Sequence, residues 1–111
     1  MSIASDLIRG NTDTVILAHL LRKDSYGYEI NKAIQEATAG AFEFKEATLY
    51  SAFRRLEEAG MIASYWGDET TGARRRYYSI TPQGRVLYEQ NRADWEAAKR
   101  TIDLLIEEDP A

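Results

Sequence analysis

Hydrophobic and polar positions follow helical periods through the first sixty residues and the last thirty, with alternating stretches between. Residues 2–9 predict a short helix with Leu7 and Ile8 turned inward. Asn11 or Thr12 can cap a helix running to about Lys23. Its centre, Val15–Leu21, is apolar nearly all round, the mark of a buried helix. Ser25 is placed to cap the next helix, about Tyr26–Thr38, which Gly40 stops. Tyr26, Ile30, Ala33, Ile34 and Ala37 share one of its faces. Phe42–Phe44 reads as a short extended piece. A third helix, about Glu46–Ala59, carries the stripe Leu49, Ala52, Phe53 and Leu56 and ends at Gly60. Met61–Trp66 and Arg75–Ile80 are rich in aromatic and branched residues and predict two strands around a polar hairpin loop, residues 67–73. Thr81-Pro82 is a cap followed by proline at the first helical position. It opens a long helix to about Glu108.

The main order, α-α-α-β-β-α, is mainly α with a small β-hairpin. It predicts a winged helix-turn-helix followed by a C-terminal dimerisation helix. Residues 1–81 form the DNA-binding domain in this reading, and residues 82–108 the dimerisation helix. The chain's 111 residues suffice for one core but not two. In the last helix Tyr88, Asn91, Trp95, Ala98, Ile102 and Leu105 recur at alternating spacings of three and four, a heptad stripe. So small a body cannot cover that helix, and a partner subunit is the natural cover.

A reading helix needs one face for the core and one for the major groove, and residues 46–59 supply both. Thr48, Ser51 and Arg55 align on one line, and Tyr50 and Arg54 on another. Hydroxyls and guanidinium groups suit phosphate and base edges. Lys45 and the helix's first amides suit phosphate, whereas Glu46 suits the helix dipole. An ordinary solvated helix face would look similar. The wing shifts the balance. Arg74, Arg75 and Arg76 stand together at the start of the return strand. Three adjacent cations repel unless an anion is near, and a DNA backbone or narrow minor groove supplies one. Protection of a strand edge is the alternative, but it normally uses scattered charges. Tyr77 and Tyr78 alternate faces, one for the core and one for phosphate. Tyr65 and Trp66 read as wing packing rather than base stacking.

Mean charge opposes this reading. The net charge is −4 and the isoelectric point about 5.0. Yet residues 1–85 carry 11 basic and 11 acidic groups, while residues 86–111 carry 3 and 7. The excess is confined to the tail, away from the basic clusters, and a local patch steers DNA more than a mean charge does. Composition removes other classes. An apolar fraction of 44% opposes disorder. There is no cysteine for disulfides or thiolate ligands, and His19 is the only histidine. No metal or cofactor is expected. No apolar run approaches the roughly 20 residues of a membrane span, and no signal peptide is visible. A soluble, cytoplasmic protein without a membrane partner is expected. Nothing assembles nucleophile, base and orienter, so an enzyme is not expected. A winged helix used only for protein contacts remains the rival, though it has no use for clustered wing arginines.

Several segments together resemble the PadR family of bacterial transcriptional regulators. They are Tyr26-Gly27-Tyr28-Glu29-Ile30, Ala47-Thr48-Leu49-Tyr50, Arg55-Leu56-Glu57, Gly60-Met61-Ile62 and Arg74-Arg75-Arg76-Tyr77-Tyr78-Ser79-Ile80-Thr81. The match spans about residues 11–107. The single, short C-terminal helix resembles the compact subgroup that includes multidrug-sensing repressors. The resemblance implies a homodimer, a palindromic operator and repression relieved by a ligand. By position, Thr48, Tyr50 and Ser51 would touch the operator from the recognition helix, and Arg74–Arg76 from the wing. Lys45 departs from the small polar cap usual at that helix start.

A two-fold dimer brings related residues together. Trp95 from each subunit, with small Ala98 beside it, could frame a gap for a planar aromatic or cationic small molecule. Trp95 also matches an aromatic lining position of multidrug-binding relatives. By that similarity Val15 and His19 would line the same space. Two simpler readings stand beside these: Trp95 as an interface anchor and His19 as a packed residue.

Overall fold

The computed structural model describes residues 3–67 and 74–107. Helices α1 (Ile3–Gly10), α2 (Thr12–Arg22), α3 (Gly27–Ala37) and α4 (Glu46–Glu58) precede strands β1 (Ile62–Trp66) and β2 (Arg76–Ile80). Helix α5 (Pro82–Ile106) follows. Ser2, most of the expected hairpin loop (residues 68–73) and Glu108 lie outside the described residues.

The core forms where the apolar faces of α2, α3 and α4 meet the hairpin. Ile16, Leu17 and Leu20 of α2 pack with Ile30 of α3. All four expected stripe residues of α4 are buried there. Phe42 and Phe44 plug the turn between α3 and α4. That turn is held by Asn31, whose side-chain amide donates to the Phe44 carbonyl at 2.8 Å and accepts from the Phe44 amide at 3.0 Å. The strands pair antiparallel, with Trp66 opposite Arg76 and Ser64 opposite Tyr78. Tyr78 is the buried tyrosine of the Tyr77–Tyr78 pair, and its ring stacks on Phe53 with centroids 4.1 Å apart.

Thr81 caps α5 as expected. Its hydroxyl oxygen accepts from the Gly84 amide at 3.0 Å, with Pro82 in the first turn. Three other cap expectations are corrected. Asn11 occupies the N-cap of α2 without a capping bond, and its amide donates backwards to the Leu7 carbonyl. The Thr12 hydroxyl likewise donates to Arg9. Both are drawn to the open carbonyls ending α1, orphan acceptors that any nearby donor satisfies. Ser25 does not cap α3 at all. It exchanges backbone hydrogen bonds with Tyr78 at 2.9 and 3.2 Å, adding a rung beside β2. Extended backbone at a sheet edge satisfies more polar groups than one side-chain cap. Tyr26 becomes the N-cap residue, half-buried and without a side-chain cap bond.

At the start of α5 the chain passes close beneath the hairpin. A Cβ on Gly84 would lie 2.1 Å from the Met61 carbonyl oxygen and 2.8 Å from Ile80 Cγ1. Backbone cannot swing aside as a flexible side chain can. Gly84→Ala is therefore expected to lower stability by about 1–3 kcal/mol, the range for overpacked sites. Thermal unfolding checks this, and an unchanged midpoint would contradict it.

Helix α5 has 25 residues, a length of about 37 Å. Leu87 and Tyr88 pack against the core, but every residue from Lys99 to Glu107 is exposed. The molecule is consequently elongated, at 65 × 30 × 21 Å with a radius of gyration of 16.3 Å. A compact domain of this length would have about 13 Å. Helix α1 is equally uncovered. Ile8 reaches the core, whereas Leu7, expected to face inward, is 40% exposed because nothing among the described residues covers that side.

Candidate nucleic-acid interface

Helix α4 anchors its apolar stripe and turns Lys45, Tyr50, Ser51, Arg54 and Arg55 outward, with Thr48 half-buried at the border. The structure thus brings the expected reading residues onto one helix, but they do not all face alike. Arg54 makes no hydrogen bond or ion pair among the described residues and projects freely. Arg55 turns a further 100° around the helix and pairs with Asp13 at the start of α2. Tyr50 leans back over α3. Its ring meets Phe53 edge-on, and its hydroxyl lies 3.2 Å from where a Cβ on Gly27 would stand. A side chain at Gly27 would crowd it.

The wing is more ordered by aromatic rings than its sequence suggests. Tyr65 stacks on Tyr77, and Tyr77 meets Tyr26 edge-on, tying the hairpin to the start of α3. The Tyr65 hydroxyl donates to Asp24 at 2.7 Å, a bond that raises its pKa by favouring the protonated form. Tyr65 is therefore wing packing, as expected. Trp66 also packs within the wing: about as exposed as Tyr65, it has the guanidinium groups of Arg74 and Arg76 over its ring. Arg75 rests instead on Tyr26. Arg76 also pairs with Glu57 at 3.5 Å.

Trp95, on α5, stands between two grooves. On one side Leu7, Ile8 and Val15 line an almost wholly apolar groove of about 400 Å³. On the other, Asp94, Ala98, Asp13 and Arg55 line a polar groove of about 730 Å³ that also includes Thr48 and Ser51 of α4. Val15 and Ala98 thus each share a groove with Trp95, but not the same one. His19 is not among them; it lines neither groove. Its Nε2 is 2.8 Å from the buried Ser25 hydroxyl, and burial holds its pKa below the usual value against the opposing pull of Glu29. Of the stripe on α5, Tyr88, Asn91, Trp95 and Ala98 are half-buried, whereas Ile102 and Leu105 face open solvent.

Two functional contacts escaped the sequence reading. Asp13 carried no signal as the partner of Arg55, because 42 residues separate them. The Trp66–Arg76 pairing carried no signal either, since closing the hairpin around residues 67–73 sets Trp66 opposite Arg74, whereas the observed register sets it opposite Arg76.

A helix-turn-helix that exposes its second helix beside a basic two-stranded wing defines a winged-helix DNA-binding protein. This chain belongs to the Transcriptional regulator PadR-like family, whose pattern matches residues 16–90. A transcriptional regulator from Clostridium thermocellum shares the fold with a TM-score of 0.87 and 50% identity, covering 96% of this chain and 100% of that one. A PadR family transcription regulator from Clostridium difficile superposes with a TM-score of 0.73 at 35% identity, covering 86% of this chain and 98% of that one. The transcriptional regulator YqjI of Escherichia coli is 32% identical over 93 residues, covering 84% of this chain and 43% of that longer protein. The chain is accordingly a DNA-binding transcriptional regulator. Among the described residues, no helix is long and apolar enough to cross a membrane.

Proposed function

We propose that this chain is a cytoplasmic homodimeric repressor, released from a palindromic operator by a planar aromatic or cationic small molecule beside Trp95. The observation that carries the reading is the long bare end of α5, where Leu105 is 77% and Leu104 71% exposed. Contiguous apolar surface on a small protein marks an interaction site. A second copy, related by a two-fold axis, covers the stripe of Tyr88, Asn91, Trp95, Ala98, Ile102 and Leu105. Residues 1–81 then act as the DNA-binding domain and 82–108 as the dimerisation helix.

In this arrangement the two α4 helices enter successive major grooves. Thr48, Tyr50, Ser51 and Arg54 meet base edges or backbone, Lys45 and the first turn of α4 meet phosphate, and Arg74–Arg76 grip the backbone from the wing. Release follows from shared lining. A molecule seated against Trp95 in the polar groove adjoins Thr48, Ser51 and the Arg55–Asp13 pair. An occupant that displaces Arg55 or shifts α4 against α5 alters the operator-binding face. Asp94 favours a cation there, Asp13 being already paired with Arg55, and the indole favours a flat ring.

Titration of tryptophan fluorescence with rhodamine 6G, a planar aromatic cation, tests the site. Saturable quenching is expected in the wild type and its loss in Trp95→Ala, which retains Trp66. Equal affinity in both proteins would reject the pocket. The dye should also weaken binding to a labelled fragment of the gene's upstream DNA, and by linkage that DNA should weaken dye binding by the same factor.

A further inference from the structure

Each of the three wing arginines rests on an aromatic ring. The guanidinium carbons of Arg74 and Arg76 lie 5.4 and 5.7 Å from the centre of the Trp66 ring, and that of Arg75 lies 5.0 Å from the centre of the Tyr26 ring. Strand alternation explains the division: Arg74 and Arg76 share one face of the hairpin, and Arg75 takes the other. The Trp66 face is the one turned toward α4. On it Tyr78 stacks on Phe53, while Ser64 and Arg76 both reach Glu57. Trp66 itself is 52% exposed and contributes nothing to the core. An indole so placed has a poor packing rationale and a good electrostatic one.

We propose that Trp66 is a positioning residue for DNA binding, a platform that holds the Arg74 and Arg76 side chains for contact with backbone phosphates beside α4. The proposal rests on the DNA-contacting role of the wing stated above. Arginine has among the largest rotamer freedoms of any side chain, and contact with a phosphate demands that this freedom be lost. A ring that already restrains two arginines removes part of that cost before DNA arrives. Stacking uses the flat face of the guanidinium, so its in-plane N–H edge stays available to phosphate oxygens. The negative ring face also offsets the repulsion between neighbouring cations, as Glu57 does for Arg76.

The experiment measures binding of full-length protein to labelled upstream DNA across a range of salt concentrations. Trp66→Leu is expected to bind about tenfold more weakly than wild type, the scale of one lost preorganising contact. Trp66→Phe, which keeps a ring, should recover most of the loss. The salt dependence of Trp66→Leu should match wild type, because the same phosphates are still met. Arg74→Ala with Arg76→Ala should lower the slope by about two for each subunit in contact with DNA. Adding Trp66→Leu to that pair should cost nothing further. Wild-type affinity in Trp66→Leu overturns the proposal. So does an undiminished loss in the arginine-less background, which would make Trp66 a direct stacking group. If Trp66→Leu unfolds, the arginine Nε–Hε NMR resonances of the wild type decide. Ring-current displacement of Arg74 and Arg76 from Arg54 supports the platform, and coincidence with Arg54 overturns it. Failure of the wild type itself to bind would instead defeat the DNA-contacting role of the wing.

Discussion

Ile102→Asp with Leu105→Asp is expected to leave a folded monomer whose operator affinity falls at least about a hundredfold, since it grips one half-site instead of two. Neither side chain belongs to the core, so far-UV circular dichroism and the thermal midpoint should change little. In the proposed dimer their loss is felt only between subunits. Burying an exposed leucine or isoleucine is worth about 1.5–3 kcal/mol, and two-fold symmetry makes each substitution count twice. The aspartates also bring like charges together across the axis, beside Asp103 and Glu107. Light scattering after size exclusion measures the oligomer, and fluorescence anisotropy the operator binding. A double variant that remains dimeric would show that some other surface joins the subunits.

Replacing all three wing arginines by alanine should weaken DNA binding on the order of a hundredfold at 0.15 M salt, if each meets one phosphate. The slope of log affinity against log salt should fall by about three for each subunit in contact with DNA. All three side chains are exposed, so the fold should survive. Arg54→Ala provides the contrast. Its side chain projects freely from α4, and a bidentate contact with a base edge is worth about 1–3 kcal/mol of discrimination. That variant should relax preference among operator sequences. If the triple variant keeps the wild-type salt slope, the wing does not touch the backbone.

These expectations draw on different depths of information. The acidic isoelectric point, read as a mean, opposes DNA binding; divided along the chain, it places the excess in residues 86–111, chiefly in the sequence that follows α5, and leaves the basic clusters intact. That much is visible in residue order. So is the face on which Arg54 lies, since 100° per residue follows from helix geometry. What Arg55 does, one position later, is not visible. An arginine at the border of two helix faces takes whichever carboxylate folding brings near, and here that is Asp13. His19 was drawn away from the groove expected of it in the same manner, by the Ser25 hydroxyl.

The sequence by itself determined the elements and their order. The periods of 3.6 and 2, the Thr81-Pro82 start of α5 and the four-residue stripe of α4 are local, set by backbone geometry and short covalent spacing. Tertiary structure alone decided the partners. It made Ser25 a neighbour of Tyr78, closed the α3–α4 turn with Asn31, laid two arginines on Trp66 and set Trp95 between two grooves. The physical reason is range. Local periodicity acts over a few residues, whereas a side chain's hydrogen bonds and ring contacts depend on what packing delivers within a few ångströms, however distant in the chain.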